Sequence, residues 1–330
     1  YQLYLRGLYA FERRGSDGNF DIAVQLFEET ISEDPAFGPA YLQLATARAL
    51  APVYAGADPI ESYEQALDVA RAGVIADVSI EAAAAAVHAY VRHQQKDWSA
   101  AQSDYERATD ARVVDANAFS WYSRMLASVG RLDDALEQAL LAWRMDPDNA
   151  VINSRVALSY LWLGQNEQAL EFFQRAERLG ARGATHLLGY ALLLTGIGDI
   201  DAARSVASSA VSDAGSSSWV DAVLDAVQDP ALRGQALASI DRAVANGQLS
   251  AQVEIVTRVV LGDTDGAMRV ADRLREPGEA FEMDLLWIPV FEPLRRHADF
   301  RLLVDDLGLT DYWVSAGCEF IDAEVRCASL

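Results

Sequence analysis

Small apolar positions recur along this chain every 34 residues, at Ala101, Ala135, Ala169 and Ala203. Seven residues after each stands another alanine, Ala108, Ala142, Ala176 and Ala210, and four after the first lie Tyr105, Ala139, Phe173 and Ala207. Spacings of four and seven fall on one face of an α-helix, so each unit predicts a helix with a buried stripe. Gly130, Gly164 and Gly198 stand five residues before the first alanine, where the turn from a preceding helix falls. Pro147 and Pro35 stop helices at Met145-Asp146-Pro147-Asp148 and Glu33-Asp34-Pro35, because proline offers no N–H and disfavours helix in the residue before it. Paired helices repeating at this period predict an all-α solenoid.

The pattern continues irregularly on both sides. Upstream, Ala23, Phe27 and Thr30 mark the second helix of a first unit, entered through a lengthened turn at Gly15-Ser16-Asp17-Gly18-Asn19. Tyr41, Leu44 and Ala45 follow, then an expanded turn from Ala51 to Pro59, then Ala66, Ala70 and Gly73. Downstream, Ala236, Ile240 and Ala243 predict a seventh unit, and Gly262, Ala267, Ala271 and Leu274 an eighth. The 34-residue period with these small and large positions resembles the tetratricopeptide repeat (TPR). That resemblance implies a right-handed TPR superhelix of about eight helical hairpins over residues 1–278, with a regular core at about 82–217, and a C-terminal capping segment at 279–330.

The tail, Leu286-Trp287-Ile288-Pro289-Val290-Phe291-Glu292-Pro293-Leu294 through Tyr312-Trp313, is more specific than any single unit. Together with Tyr1-Gln2-Leu3-Tyr4-Leu5-Arg6-Gly7 and the turn through Tyr54 and Pro59, it resembles the C-terminal TPR region of bacterial multidomain signalling proteins. In those proteins such an array follows a winged-helix DNA-binding, adenylate/guanylate cyclase or protein kinase domain, often across a transmembrane helix. The resemblance implies a sensory module with its effector domain on the N-terminal side. The tail's expected physical role is to cover the apolar last hairpin. The chain opens at Tyr1 without Met or a signal-like segment, and is expected to be a piece or processed form of something longer.

Charge narrows the partners. The balance is 27 Lys+Arg against 49 Asp+Glu, a net −22, with 26 of the basic residues arginine and Lys96 the single lysine. This repels phosphate backbones and anionic membrane surfaces, so no direct nucleic-acid binding is expected. No stretch of 18 consecutive apolar residues is present, so no membrane insertion by this segment is expected either.

Candidate chemistry is sparse. Cys318 and Cys327, nine residues apart in a loop-like terminal segment, suit a disulfide in an oxidising, periplasmic compartment; the alternative is two free thiols in the cytoplasm. Asp17, Asn19, Asp21 and Glu28 match positions of a calcium loop, but Ile22 stands where the loop needs glycine, and Ala23 and Phe27 already belong to a helix. The histidines His88, His93, His186 and His297 lack zinc-binding spacing, and no nucleophile elbow, phosphate loop or dinucleotide fingerprint occurs. His93 stands where a Ser-x-x-Lys motif ending at Lys96 would need serine. Neither an enzymatic activity nor a cofactor or metal is expected.

Binding is what the resemblance implies. In TPR arrays the first helix of each pair lines a concave groove, exposing a stripe at repeat positions spaced three or four apart. That register gives Ala83, Ala86, Tyr90 and His93, then Asn117, Ser120, Arg124 and Ala127, then Val151, Ser154, Leu158 and Leu161, then Thr185, Leu188, Leu192 and Thr195. Arg155 and Trp162 flank the stripe. The expected groove, for a protein or peptide, is half apolar with Arg124 and Arg155 as isolated positive points. Two arginines without lysines do not make the carboxylate clamp of chaperone-binding TPRs. A non-sensing scaffold and a small-ligand pocket under the Ala51–Pro59 turn are the alternatives, and each groove residue could instead pack between neighbouring helices.

Overall fold

The computed structural model describes residues 1–14, 18–110, 115–210, 218–275 and 282–328. Among these, sixteen helices run as eight successive pairs: α1 (Gln2–Glu12) with α2 (Asn19–Glu33), α3 (Gly38–Tyr54) with α4 (Pro59–Ala76), α5 (Glu81–Gln94) with α6 (Trp98–Thr109), α7 (Ala116–Ser128) with α8 (Leu132–Met145), α9 (Ala150–Trp162) with α10 (Asn166–Arg178), α11 (Ala184–Gly196) with α12 (Ile200–Ala210), α13 (Ser218–Gln228) with α14 (Arg233–Ala245), and α15 (Ala251–Val260) with α16 (Thr264–Ala271). The fold is an all-α helical-hairpin array of TPR type. It parts into two compact units, Tyr1–Tyr122 and Ser123–Leu330. The expected junction at 278/279 between array and cap lies outside the described residues, as do Gly15, Ser16 and Asp17.

The repeating alanines let helices approach closely. Ala101, Ala135, Ala169 and Ala203 have no exposed surface, nor do Ala142 and Ala176, and Tyr105 and Phe173 are among the largest fully buried side chains. Ala210 departs from the pattern and lies exposed at the end of α12. Helices α8 and α2 end at Met145 and Glu33, two residues before Pro147 and Pro35.

In several hairpins the turn is set by one residue in the left-handed region, whereas α13 and α14 are joined through a 3-10 turn at Pro230–Leu232. Gly130, Gly164, Gly198 and Gly262 have φ between 68° and 85°. At Gly130 the amide donates to Ala127 O and the next amide, of Arg131, reaches back to Leu126 O, closing the helix with two bonds. In the third hairpin Lys96 occupies this position with φ 63°, and the Asp97 amide makes the same long bond to Arg92 O.

One expected turn is corrected. The expanded turn from Ala51 to Pro59 shortens to four residues, because α3 continues through Pro52 to Tyr54. Pro52 removes one helical bond, but the Ala55 and Ala57 amides both close on Ala51 O. Asp58 then caps α4 by accepting from the Glu61 amide, with Pro59 at the first helical position.

The tail is corrected more substantially. It contains 3-10 turns at Met283–Trp287 and Pro289–Phe291, short helices α17 (Glu292–Arg295), α18 (Phe300–Asp306) and α19 (Leu309–Ser315), and strands β1 (Cys318–Ile321) and β2 (Glu324–Cys327). The segment read as loop-like is thus an antiparallel hairpin, with Cys318 opposite Cys327 and joined to it by a disulfide. Its turn residues Asp322 and Ala323 both have positive φ, which matches the twist of a two-residue hairpin. Phe320 stacks on Trp313 at 5.3 Å and meets Phe300 at 5.7 Å. Buried Arg295 donates to three carbonyls, Leu286, Ile288 and Ala323, which ties the hairpin to the 3-10 turns. His297 lies in the turn between α17 and α18, 3.2 Å from Asp265.

Candidate binding groove

The predicted stripe divides between the two units. Tyr90, His93, Asn117 and Ser120 belong to the first. There Tyr90 and His93 are buried against the Trp121 and Trp98 rings at 5.1 and 5.6 Å. Asn117 is exposed in the first turn of α7, and Ser120 is buried.

In the second unit the first helices of successive hairpins are packed tightly. A Cβ added to Gly189 on α11 would lie 2.5 Å from Leu158 Cδ2, so Leu158 fills the space between α9 and α11. Ser154 Oγ lies 2.9 Å from His186 Nδ1. Burial, and secondarily the charge of Arg182, pull the His186 pKa down to about 4, so the ring is neutral near pH 7. Leu188 and Leu192 are half-buried, and Trp162 is buried with the Arg155 guanidinium 5.7 Å from its ring.

The two arginines are where the stripe acquires chemistry, and both are occupied by the tail. Arg124 donates to Glu282 Oε1 at 3.0 Å, and Thr185 Oγ1 donates to the same oxygen at 2.6 Å. The Glu282 amide donates to Gln252 Oε1 on α15 at 2.8 Å. Arg155 donates to Asp284 Oδ2 at 3.0 Å, and the Asp284 side chain is only 1% exposed. Burial pulls the Arg155 pKa down, and the neighbouring Asp284 carboxylate offsets part of that pull.

Downstream of these acids the chain is held at the C-terminus of α7. Trp287 Nε1 donates to Ser128 O at 3.2 Å and Trp313 Nε1 donates to Val129 O at 2.8 Å, which satisfies carbonyls a helix end leaves open. Tyr312 OH accepts from Arg131 at 3.3 Å. Burial works against the Arg131 charge, but bonds to Tyr312 and Asp134 outweigh it and raise its pKa. Only glycine fits at position 130, where a Cβ would lie 2.5 Å from Val325 and 2.9 Å from Trp287. Beside this anchor a cleft of about 740 Å³ opens between Trp162, Pro289 and the Asp322–Val325 turn.

So the tail packs on the last hairpin, as α17 does against α16, and also crosses the first helices of earlier hairpins. The sequence gives no local sign of Glu282, Asp284, Gln252 or Ser128 as site residues. The available clue is chemical: isolated arginines on a half-apolar stripe need counter-charges, and Glu282 and Asp284 are acids set in an otherwise apolar run. Among the described residues no group of three or more His, Cys, Asp or Glu could hold a metal ion, and no helix is long and apolar enough to cross a membrane.

No family model and no curated relative matches this chain. Among solved structures it is similar to YrrB, described as a TPR protein with an unusual peptide-binding site, at 16% identity over 56% of this chain and 91% of that one, with TM-score 0.37. It is similar to PilF of Pseudomonas aeruginosa at 21% identity over 77% of this chain and 98% of that one, with TM-score 0.45. A tetratricopeptide repeat protein of Parabacteroides merdae aligns at 13% identity over 76% of this chain and 98% of that one, with TM-score 0.49. The assignment of fold rests on the eight helix pairs and the 34-residue repeat.

Proposed function

We propose that this chain is a peptide- or protein-binding sensory TPR module of a bacterial membrane-anchored signalling or transcriptional regulator. The ligand lies along the stripe of first helices in the second unit, held by Arg124, Arg155 and Trp162 with Leu188 and Leu192 as its apolar floor. One observation carries this reading: a segment of the chain itself, from Glu282 to Trp287, already lies on that stripe with its acids on the two arginines. A surface that seats one short segment through side-chain and backbone bonds has the chemistry to seat another. The Cys318–Cys327 bridge supports an extracytoplasmic placement, and the net charge of −22 argues against nucleic acid as the direct partner. The reading assigns binding, and no catalysis, to these residues.

The test is site-specific photo-crosslinking in the native host. A photoreactive residue at 188 or 192 is expected to give discrete polypeptide adducts that one at exposed Glu137, on α8, does not. Equal labelling at all three positions would remove the groove from the account.

A further inference from the structure

The seated segment defines what its competitor must look like. Resting on the groove reading above, we infer that the partner is a short segment in a 3-10 turn carrying two carboxylates two residues apart and a tryptophan three residues on, and that Glu282-Met283-Asp284-Leu285-Leu286-Trp287 is its resident mimic. The spacing is set by the groove. Arg124 and Arg155 stand on different first helices, and acids at positions 282 and 284 meet one each. Thr185 adds a hydroxyl donor to the first acid, and the Ser128 carbonyl accepts the indole N–H. A basic, lysine-rich peptide would place like charges against these arginines. A purely apolar one would offer no carboxylate to the largely buried Arg155 guanidinium.

The resident fits incompletely. Among the described residues Glu282 Oε2 and Asp284 Oδ1 are buried with no hydrogen-bond partner, and so is Trp162 Nε1 close to Arg155. A buried polar group without a partner keeps its full desolvation cost, so the resident is held less tightly than a fully paired segment, and its release returns both carboxylates to water. The resident's advantage is its tether, which gives it a high effective concentration, so binding in trans is weak until the resident is loosened.

The experiment uses the full chain and a fluorescein-labelled peptide of residues 282–289, read by anisotropy. In the variant Glu282→Gln with Asp284→Asn, the resident loses both charges while the groove is untouched. That variant is expected to bind the peptide at least about tenfold tighter than the unaltered chain. A peptide with the same two amides should not bind, and adding Arg155→Met should remove the gain. A loosened chain that stays helical and monomeric yet binds acid and amide peptides equally would overturn the inference. So would one that dimerises by exchanging its tails and refuses the peptide, since the occupant is then a second copy. If the variant loses helix, the peptide is titrated into the unaltered chain and amide exchange over 283–288 is followed. Faster exchange supports competition, and no change at excess peptide contradicts it. Adducts at 188 or 192 without peptide binding would retire the acid–tryptophan class alone, whereas loss of both results would retire the groove.

Discussion

Arg155 and Asp284, 129 residues apart in the chain, form an ion pair at 3.0 Å whose carboxylate is 1% exposed. Both charges sit on surfaces that have left water, so each depends on the other. Replacing Arg155 with Met is expected to destabilise the second unit by about 3 kcal/mol, because a buried carboxylate is left without a counter-charge. Adding Asp284→Leu should recover most of that loss. A double-mutant cycle in urea checks this, and additive losses would show that the two residues do not couple.

Lys96 holds the left-handed turn position that Gly130, Gly164, Gly198 and Gly262 hold in other hairpins. A non-glycine residue there costs about 1–2 kcal/mol, of which glycine's extra unfolded-state freedom returns roughly 0.5–1 kcal/mol. Lys96→Gly should therefore raise stability by about 0.5–1 kcal/mol in equilibrium urea unfolding. The reciprocal change, Gly130→Ala, should destabilise, since it meets both positive φ and the Val325 and Trp287 side chains.

His186 makes stability depend on pH. Its folded pKa of about 4 lies below the ordinary 6.5, so the unfolded chain binds the proton first as pH falls. Stability from this group is complete above about pH 6.5 and is lost progressively down to about pH 4, by roughly 3 kcal/mol in all. Urea midpoints between pH 7.5 and 4.5 should fall in the unaltered chain and fall less in His186→Phe. Parallel slopes in the two proteins would assign the effect elsewhere.

The hairpin array is legible in the sequence because its signal is local and periodic: Ala135 and Ala169 recur where helices touch, and both are fully buried. The cover on the groove is not legible that way. Arg124 and Arg155 stand out as isolated charges, but their partners lie more than a hundred residues on, and no periodicity links an arginine to a distant acid. The β-hairpin escapes for a different reason, since Asp322-Ala323 lacks the glycine that advertises a two-residue turn. Tyr90 and His93 have the right spacing for the stripe, yet ring neighbours bury them, which a single helix face cannot reveal.

The disulfide fastens the tail. Cys318 and Cys327 lie opposite each other in the hairpin whose Phe320 supports Trp313 and Trp287. Replacing both cysteines with serine should cost about 2.5 kcal/mol on the chain-entropy view of a short closed loop. It should also speed amide exchange in the tail around Phe320 and Trp313. Equal exchange in the two proteins would show that the aromatic cluster holds the tail without the bridge.

The most direct measurement of the central claim is cross-linking between positions 185 and 282, whose side chains meet at 2.6 Å. Thr185→Cys with Glu282→Cys, treated with a short bis-maleimide at low protein concentration, is expected to give a monomer in which peptides containing residues 185 and 282 are joined. Recovery of the two cysteines singly modified, with no joined peptide in the monomer, would mean that the tail does not lie on the groove, and the account would fail at its centre.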